Sequence, residues 1–137
     1  MLGPEFETFL ENWGEDDTGM RGAFEKLLRL LRNADGVELS FKARPGVSYS
    51  LRAAHSAQKD RSLFTMIDVI DDDPTNRWLS VCFFGDMISD PEEKGDLIPG
   101  GLLGEDGYCF DLDTAEEGEV QYVGQRIEEA IHAAKQG

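Results

Sequence analysis

Five polar side chains in the stretch "FKARPGVSYSLRA" have the types and spacing to hold an anion: Lys42, Arg44, Ser48, Ser50 and Arg52. Lys42, Ser48, Ser50 and Arg52 fall on one side of the hairpin this stretch encodes, and Arg44 stands at its turn. Three cations and two hydroxyls can then converge on a carboxylate or phosphate through charge-assisted hydrogen bonds. The competing reading leaves these groups solvated, or neutralised by Glu38 and by the acidic segment 85–107, which can also act as a lid.

Other chemistry-bearing residues lack the spacing their chemistry needs. Ser40, Ser80, Cys82 and Cys109 have no G-x-S-x-G setting. His55, the imidazole nearest them in sequence, falls at a strand end on the core side, where a structural histidine is expected. "DLDTAEEGE" from Asp111 has D-x-D without the later glycine and glutamate of a calcium loop, and "DDD" at 71–73 reads as a solvated turn. "IPGGLLGEDG" lacks G-K-[ST] and leads into a strand, so no helix N-terminus is there to receive phosphate. Without a C-x-x-C spacing, Cys82 and Cys109 are expected to be reduced core residues. Neither a metal site nor a cofactor is expected.

The charge distribution narrows the choice of partner. The chain of 137 residues carries a net charge of −15, which argues against a nucleic-acid partner. Between Ser40 and Leu63 five cations face Asp60 alone, a local balance of +4, so the remainder carries −19. The apolar runs "SLFTMI" and "LSVCFF" are far shorter than the ~20 residues of a membrane-spanning helix, so no membrane association and a cytosolic location are expected.

Periodicity supplies the elements that position these groups. A single domain over 1–137 is expected, with residues 1–5 in "MLGPEF" resembling a cloning junction or a disordered end. Phe6, Phe9, Leu10 and Trp13 mark one face of a short helix ending at Gly14. A second helix over 18–34 starts at Thr18 as N-cap, with Asp16 and Asp17 before it, and buries Met20, Phe24, Leu27, Leu28 and Leu31. "VELSFKA" and "VSYSLRA" alternate as two strands. A three-residue loop Arg44-Pro45-Gly46 would pair Phe41 with Tyr49 and Leu39 with Leu51, and set Glu38 against Arg52 as an ion pair.

The next hairpin pairs Thr65 with Phe83, Ile67 with Val81 and Val69 with Leu79. Its reverse face carries Phe64, Met66, Ile70, Trp78, Cys82 and Phe84, so it is apolar on both sides. Residues 85–107 read as a long acidic loop, "YCFDLD" as a fifth strand, and 118–135 as a final amphipathic helix. The expected fold is α+β: two layers, a mainly antiparallel sheet of about five strands, and helices packed on the face of Leu39, Leu51, Ile67, Val81 and Phe110.

The order of a helix, "GVELSFKARPGVSYSLRA", further strands and a terminal "IEEAIHAA" helix resembles the YdhG-like and related families of uncharacterised small bacterial α/β domains. The resemblance implies a cytosolic domain and assigns no catalytic residue. Two function classes follow from the residues. The favoured one is a binding module whose second sheet face takes a small anionic ligand or a protein partner. The alternative is a small enzyme whose site is completed by the 85–107 loop. Phe64, Met66, Ile70, Trp78 and Phe84 form the expected apolar interaction patch, covered by the first helix or by a second subunit in a homodimer.

Overall fold

The computed structural model describes residues 2–13 and 18–137. Helices α1 (Pro4–Asn12) and α2 (Met20–Arg32) precede strands β1 (Val37–Arg44), β2 (Ser48–His55), β3 (Thr65–Ile70) and β4 (Trp78–Phe84). A 3-10 turn (Gly85–Met87), β5 (Asp96–Leu102), β6 (Glu105–Leu112) and α3 (Glu117–Lys135) follow. The strands form one antiparallel sheet in the order β1-β2-β3-β4-β6-β5. The fold is α+β as expected, with six strands rather than five. Among the described residues no helix is long and apolar enough to cross a membrane.

The extra strand corrects the reading of 85–107 as one long loop. "DLIPGGL" shows no alternation and contains a proline, which is tolerated because β5 is an edge strand with its outer side unpaired. A tight turn makes the pairing with β6 possible. Leu103 and Gly104 both adopt left-handed backbone, at φ 51° and 84°, as a two-residue type I′ hairpin turn requires. Leucine is a poor choice there, and its side chain is exposed. Leu103→Asn should therefore raise stability by about 0.5–1 kcal/mol, read as a higher urea midpoint at unchanged slope. An unchanged or lower midpoint would show that the leucine side chain has a contact worth more than the backbone strain.

Register follows the hydrophobic alternation in both hairpins. In the second, Thr65 faces Phe83, Ile67 faces Val81 and Val69 faces Leu79, as the alternation predicts. In the first, the pairing is displaced by two residues: Phe41 lies opposite Leu51, Leu39 opposite Ala53 and Arg44 opposite Ser48. The loop is Pro45-Gly46-Val47, with Val47 N–H donating to Arg44 O at 2.9 Å and Gly46 at φ 81°. A two-residue displacement keeps every side chain on its face, which is why the alternation alone could not detect it. It does separate Glu38 from Arg52, since Glu38 now stands opposite Ala54 and the expected ion pair is absent.

Helices α2 and α3 cover the face that carries Leu51, Ile67, Val81 and Phe110, and bury Phe24, Leu27, Leu31, Val123, Ile127 and Ala130. α1 packs on this same face, correcting the expectation that it crosses the other one. The Phe6 ring meets Phe41 edge-on at 5.1 Å and the Phe9 ring stacks on Tyr49 at 4.3 Å. Phe41 and Tyr49 belong to the helical face by register, and α1 fills the corner over β1 and β2. Pro4 and Glu5, read above as cloning residues or disorder, form the first turn of α1, where proline's fixed φ suits a helix start. α2 begins behind Gly19, in left-handed backbone at φ 72°, not behind a Thr18 cap. The expectations for Gly14, Asp16 and Asp17 lie outside the described residues.

Candidate functional site

With the three helices of the described residues on one side, the opposite sheet face has no helix over it among those residues. The register arranges that face in rows running across the strands. One row is Lys42, Ser50, Asp68, Ser80 and Asp111. A second is Ser40, Arg52, Met66, Cys82, Cys109 and Asp96. A third is Arg44, Ser48, Ile70 and Trp78. Lys42, Arg44 and Arg52 therefore occupy the β1–β2 end together with Glu38, the apolar side chains lie in the middle beside Asp68, and Asp96 and Asp111 mark the β6–β5 end.

All five residues of the expected anion cluster do share this face. Lys42 and Arg44 are exposed, Ser48 and Arg52 half-buried, and Ser50 buried. Arg52 Nε donates to Ser50 Oγ at 3.3 Å. None of the three cations enters an ion pair among the described residues. Asp68 stands beside them, opposite Ser50. Alternation in "TMIDVI" assigns Asp68 to this face, but only the adjacency of β2 and β3 brings it against Ser50. One of its carboxylate oxygens is buried without a hydrogen-bond partner. Burial pushes the Asp68 carboxyl above the ordinary range, opposed by the Ser50 hydroxyl and by the charges of Arg52 and Arg44. At the far end, partial desolvation and the repulsion of Asp96 and Asp113 push Asp111 up as well, against a hydrogen bond from Ser80.

A carboxyl raised in the folded state binds its proton more tightly folded than unfolded. The resulting stability is present below the ordinary carboxylate range and is lost as pH rises through the raised value. Asp68→Asn, which carries no charge to desolvate, should therefore melt higher than the parent chain near neutral pH, and the difference should vanish below about pH 4. A difference that persisted unchanged at acid pH would assign it to packing, not to charge.

The expected apolar patch is only partly open. Phe64 and Phe84 are fully buried, and the Arg61 guanidinium lies over the Phe84 ring at 4.0 Å. Met66, Ile70 and Trp78 are half-buried and occupy the middle of the face. Cys82 and Cys109 lie directly opposite one another on β4 and β6, with Cα atoms 4.1 Å apart, and form a disulfide. This corrects the expectation of reduced core thiols. Strand pairing across β4 and β6 brings together two residues whose sequence separation of 27 gives no hint of contact.

The acidic segment does not close over the first hairpin. Sheet order places β5 at the edge opposite β1, and the 85–95 connection is tied to α3 instead. Ser89 Oγ donates to Glu129 at 2.5 Å, Lys94 Nζ reaches Glu119 at 2.5 Å, and the Tyr122 hydroxyl donates to Asp90. Asp90 also accepts the backbone N–H groups of Lys94 and Gly95. Burial acts to raise the Asp90 carboxyl, but the Tyr122 hydroxyl and those two N–H groups outweigh it and hold the carboxyl below its ordinary range. Arg61 forks onto Asp86 at 2.9 and 3.0 Å and onto Glu105 at 2.7 and 3.0 Å. Of the cations in the basic stretch, Arg61 is thus neutralised by the acidic segment, while Lys42, Arg44 and Arg52 are not.

His55 is buried, and its Nδ1 accepts the Ala57 N–H at 3.0 Å, a structural use of the imidazole. In the 71–73 turn, Asp73 accepts both the N–H and the hydroxyl of Thr75, the local bonding that favours aspartate in turns, but Asp71, expected to be solvated with it, is buried and ion-paired with Arg77. The resemblance to the YdhG-like families rests on the sequence pattern alone: no protein-family model matches the chain, and no curated protein or solved structure is significantly similar to it.

Proposed function

We propose that the chain is a binding module that works through the helix-free face of its sheet. The observation that carries this reading is the segregation of all three helices to one side, which leaves Met66, Ile70 and Trp78 half-buried at the centre of a face with cations at one end and acids at the other. Apolar centres rimmed by polar groups are the usual composition of an interaction surface. A protein surface of mixed charge suits this face better than a small anion. An anion seated between Arg44, Arg52 and Ser50 would have to compete with the Asp68 carboxylate, which already occupies the middle of that group. The enzyme alternative has no comparable support, because Asp86 and Asp90 of the 85–95 connection are committed to an ion pair and hydrogen bonds within the fold.

A cytosolic setting belongs to the same proposal. There, the glutathione pool keeps most cysteine pairs reduced, so a cytosolic chain must hold the Cys82–Cys109 bond against that pool, and alkylation at the moment of lysis should leave both cysteines unmodified; alkylated thiols would count against the bond in that setting. Hydroxyl-radical footprinting of Met66 and Trp78 tests the binding face itself. Both should be oxidised in dilute purified chain and gain protection at high chain concentration or with a binding partner, with anionic metabolites and inorganic phosphate run alongside. Equal oxidation under every condition would rule out this face as a binding surface. Protection by a small anion that disappears in Lys42→Ala/Arg52→Ala would assign the ligand to the basic end.

A further inference from the structure

We infer that the occupant of the helix-free face is a second copy of this chain, stacked face to face about a two-fold axis that runs parallel to the strands. The inference rests on the reading of that face as a binding surface and names its partner.

Charge placement on the face favours one orientation. Lys42, Arg44 and Arg52 lie on β1 and β2, and Asp96 and Asp111 lie on β5 and β6, with the same rows running through both groups. A face with opposite charges at its two ends is complementary to itself in one orientation only. Rotation about an axis along the strands lays β1 and β2 of one copy over β5 and β6 of the other, twice by symmetry, so that Asp111 comes over Ser50 beside Lys42 and Asp96 over Ser40 beside Arg52. Rotation about an axis across the strands lays β1 on β1, cations on cations. The pattern therefore selects the first axis, and an isologous contact of this kind closes as a dimer and does not propagate.

Strand order also decides what meets in the middle. The sheet has six strands, so its midline falls between β3 and β4. Under the selected axis, β3 of one copy lies over β4 of the other, and Met66, Ile70 and Trp78 of both copies form one apolar centre. Asp68, with its unpartnered oxygen, then sits in the zone occupied by the Ser80 hydroxyl of the second copy. Six strands at about 4.8 Å spacing and about 20 Å length give a face near 600 Å² per copy. That approaches the roughly 800 Å² per partner of a standard interface. With long-range repulsion between two chains of net charge −15 acting against it, an affinity in the micromolar range follows. Stacked sheets keep their strands within about 30° of one another, as this axis allows.

Charge reversal tests both the partner and the orientation. Sedimentation velocity of the full chain between about 1 and 300 µM should show a monomer passing to a dimer. Lys42→Glu/Arg52→Glu and Asp96→Lys/Asp111→Lys should each remain monomeric, weakened at least tenfold by like charges set face to face. Mixed in equal amounts, the two variants should form a heterodimer at least as tight as the parent, because both ends of the face are then complementary again. Should Arg52→Glu disturb the fold, as judged by circular dichroism and melting, Lys42→Glu/Arg44→Glu changes two exposed positions and reads out the same contact. A parent chain that stays monomeric throughout, reversed variants that dimerise like the parent, or a mixture that does not associate would each overturn the inference. If the parent is monomeric while Met66 and Trp78 are still protected by another ligand, the face remains a binding surface and only the second copy is excluded. If they are protected under no condition, both readings fall together.

Discussion

Replacing Arg77 with methionine should lower the unfolding free energy by about 3–5 kcal/mol, the cost of leaving one charge of a buried ion pair without its partner. Arg77 Nε reaches Asp71 Oδ1 at 2.7 Å, and the two side chains are only 11% and 6% exposed. The pair ties together three parts of the chain. Asp71 Oδ2 accepts the Gly46 N–H at 3.2 Å, holding the first hairpin turn. The Arg77 guanidinium lies 5.4–5.6 Å from the ring centres of Phe9, Trp13 and Tyr49, joining α1 to the sheet. Asp71→Leu should cost a similar amount, and the double variant Arg77→Met/Asp71→Leu distinctly less than the sum of the two, since it leaves no orphaned charge. Urea denaturation of the four chains measures the coupling. Additive losses would mean that the ion pair is incidental and that each side chain contributes through packing alone.

The Cys82–Cys109 bond should contribute a comparable amount through a different mechanism. It closes a loop with a sequence separation of 27 and so restricts the unfolded chain. For that loop size the chain-entropy relation gives about 3.5 kcal/mol. Reduction, or Cys109→Ser, should lower the midpoint of denaturation accordingly, with the folded sheet still intact because backbone pairing already joins β4 to β6 from Leu79 to Phe84. Thiol titration of denatured, oxidised protein should find no free thiol. A midpoint unmoved by reductant would show that the unfolded chain already keeps these strands together. The bond also sits in the row between Met66 and Asp96 on the helix-free face, so reduction tests whether its presence matters for binding there.

The face assignments of this protein are determined locally. Val37 to Ala43 and Tyr49 to Ala53 alternate strictly, Thr65 to Val69 and Leu79 to Phe83 less so, and a strand with one buried face cannot reverse that alternation without exposing its whole apolar set. The helical stripes of α2 and α3 have the same property at a period of 3.6. Lys42, Ser48, Ser50 and Arg52 could for this reason be placed on one face from the sequence, whereas Arg44, expected at the turn, joins them only because the strand runs on to pair it with Ser48. The register of the second hairpin was also legible, because alternation on both of its strands and a proline-containing connection left one consistent pairing.

Other features depended on neighbours that sequence distance conceals. The first hairpin could shift by two residues at no cost to its faces, and only the folded turn, with Val47 beyond Gly46, fixed the pairing. "DLIPGGL" has no periodicity of its own and becomes a strand because β6 offers it a ladder through a tight turn. α1 has an apolar stripe suited to either side of the sheet, and the aromatic corner at Phe41 and Tyr49 decided which. Strand order alone set Asp68 against Ser50, Cys82 against Cys109, and the cations of β1 and β2 at the opposite end of the face from Asp96 and Asp111. Local pattern states which way a side chain points; what it meets there is a property of long-range packing, which in this fold also sets the charge layout of the open face.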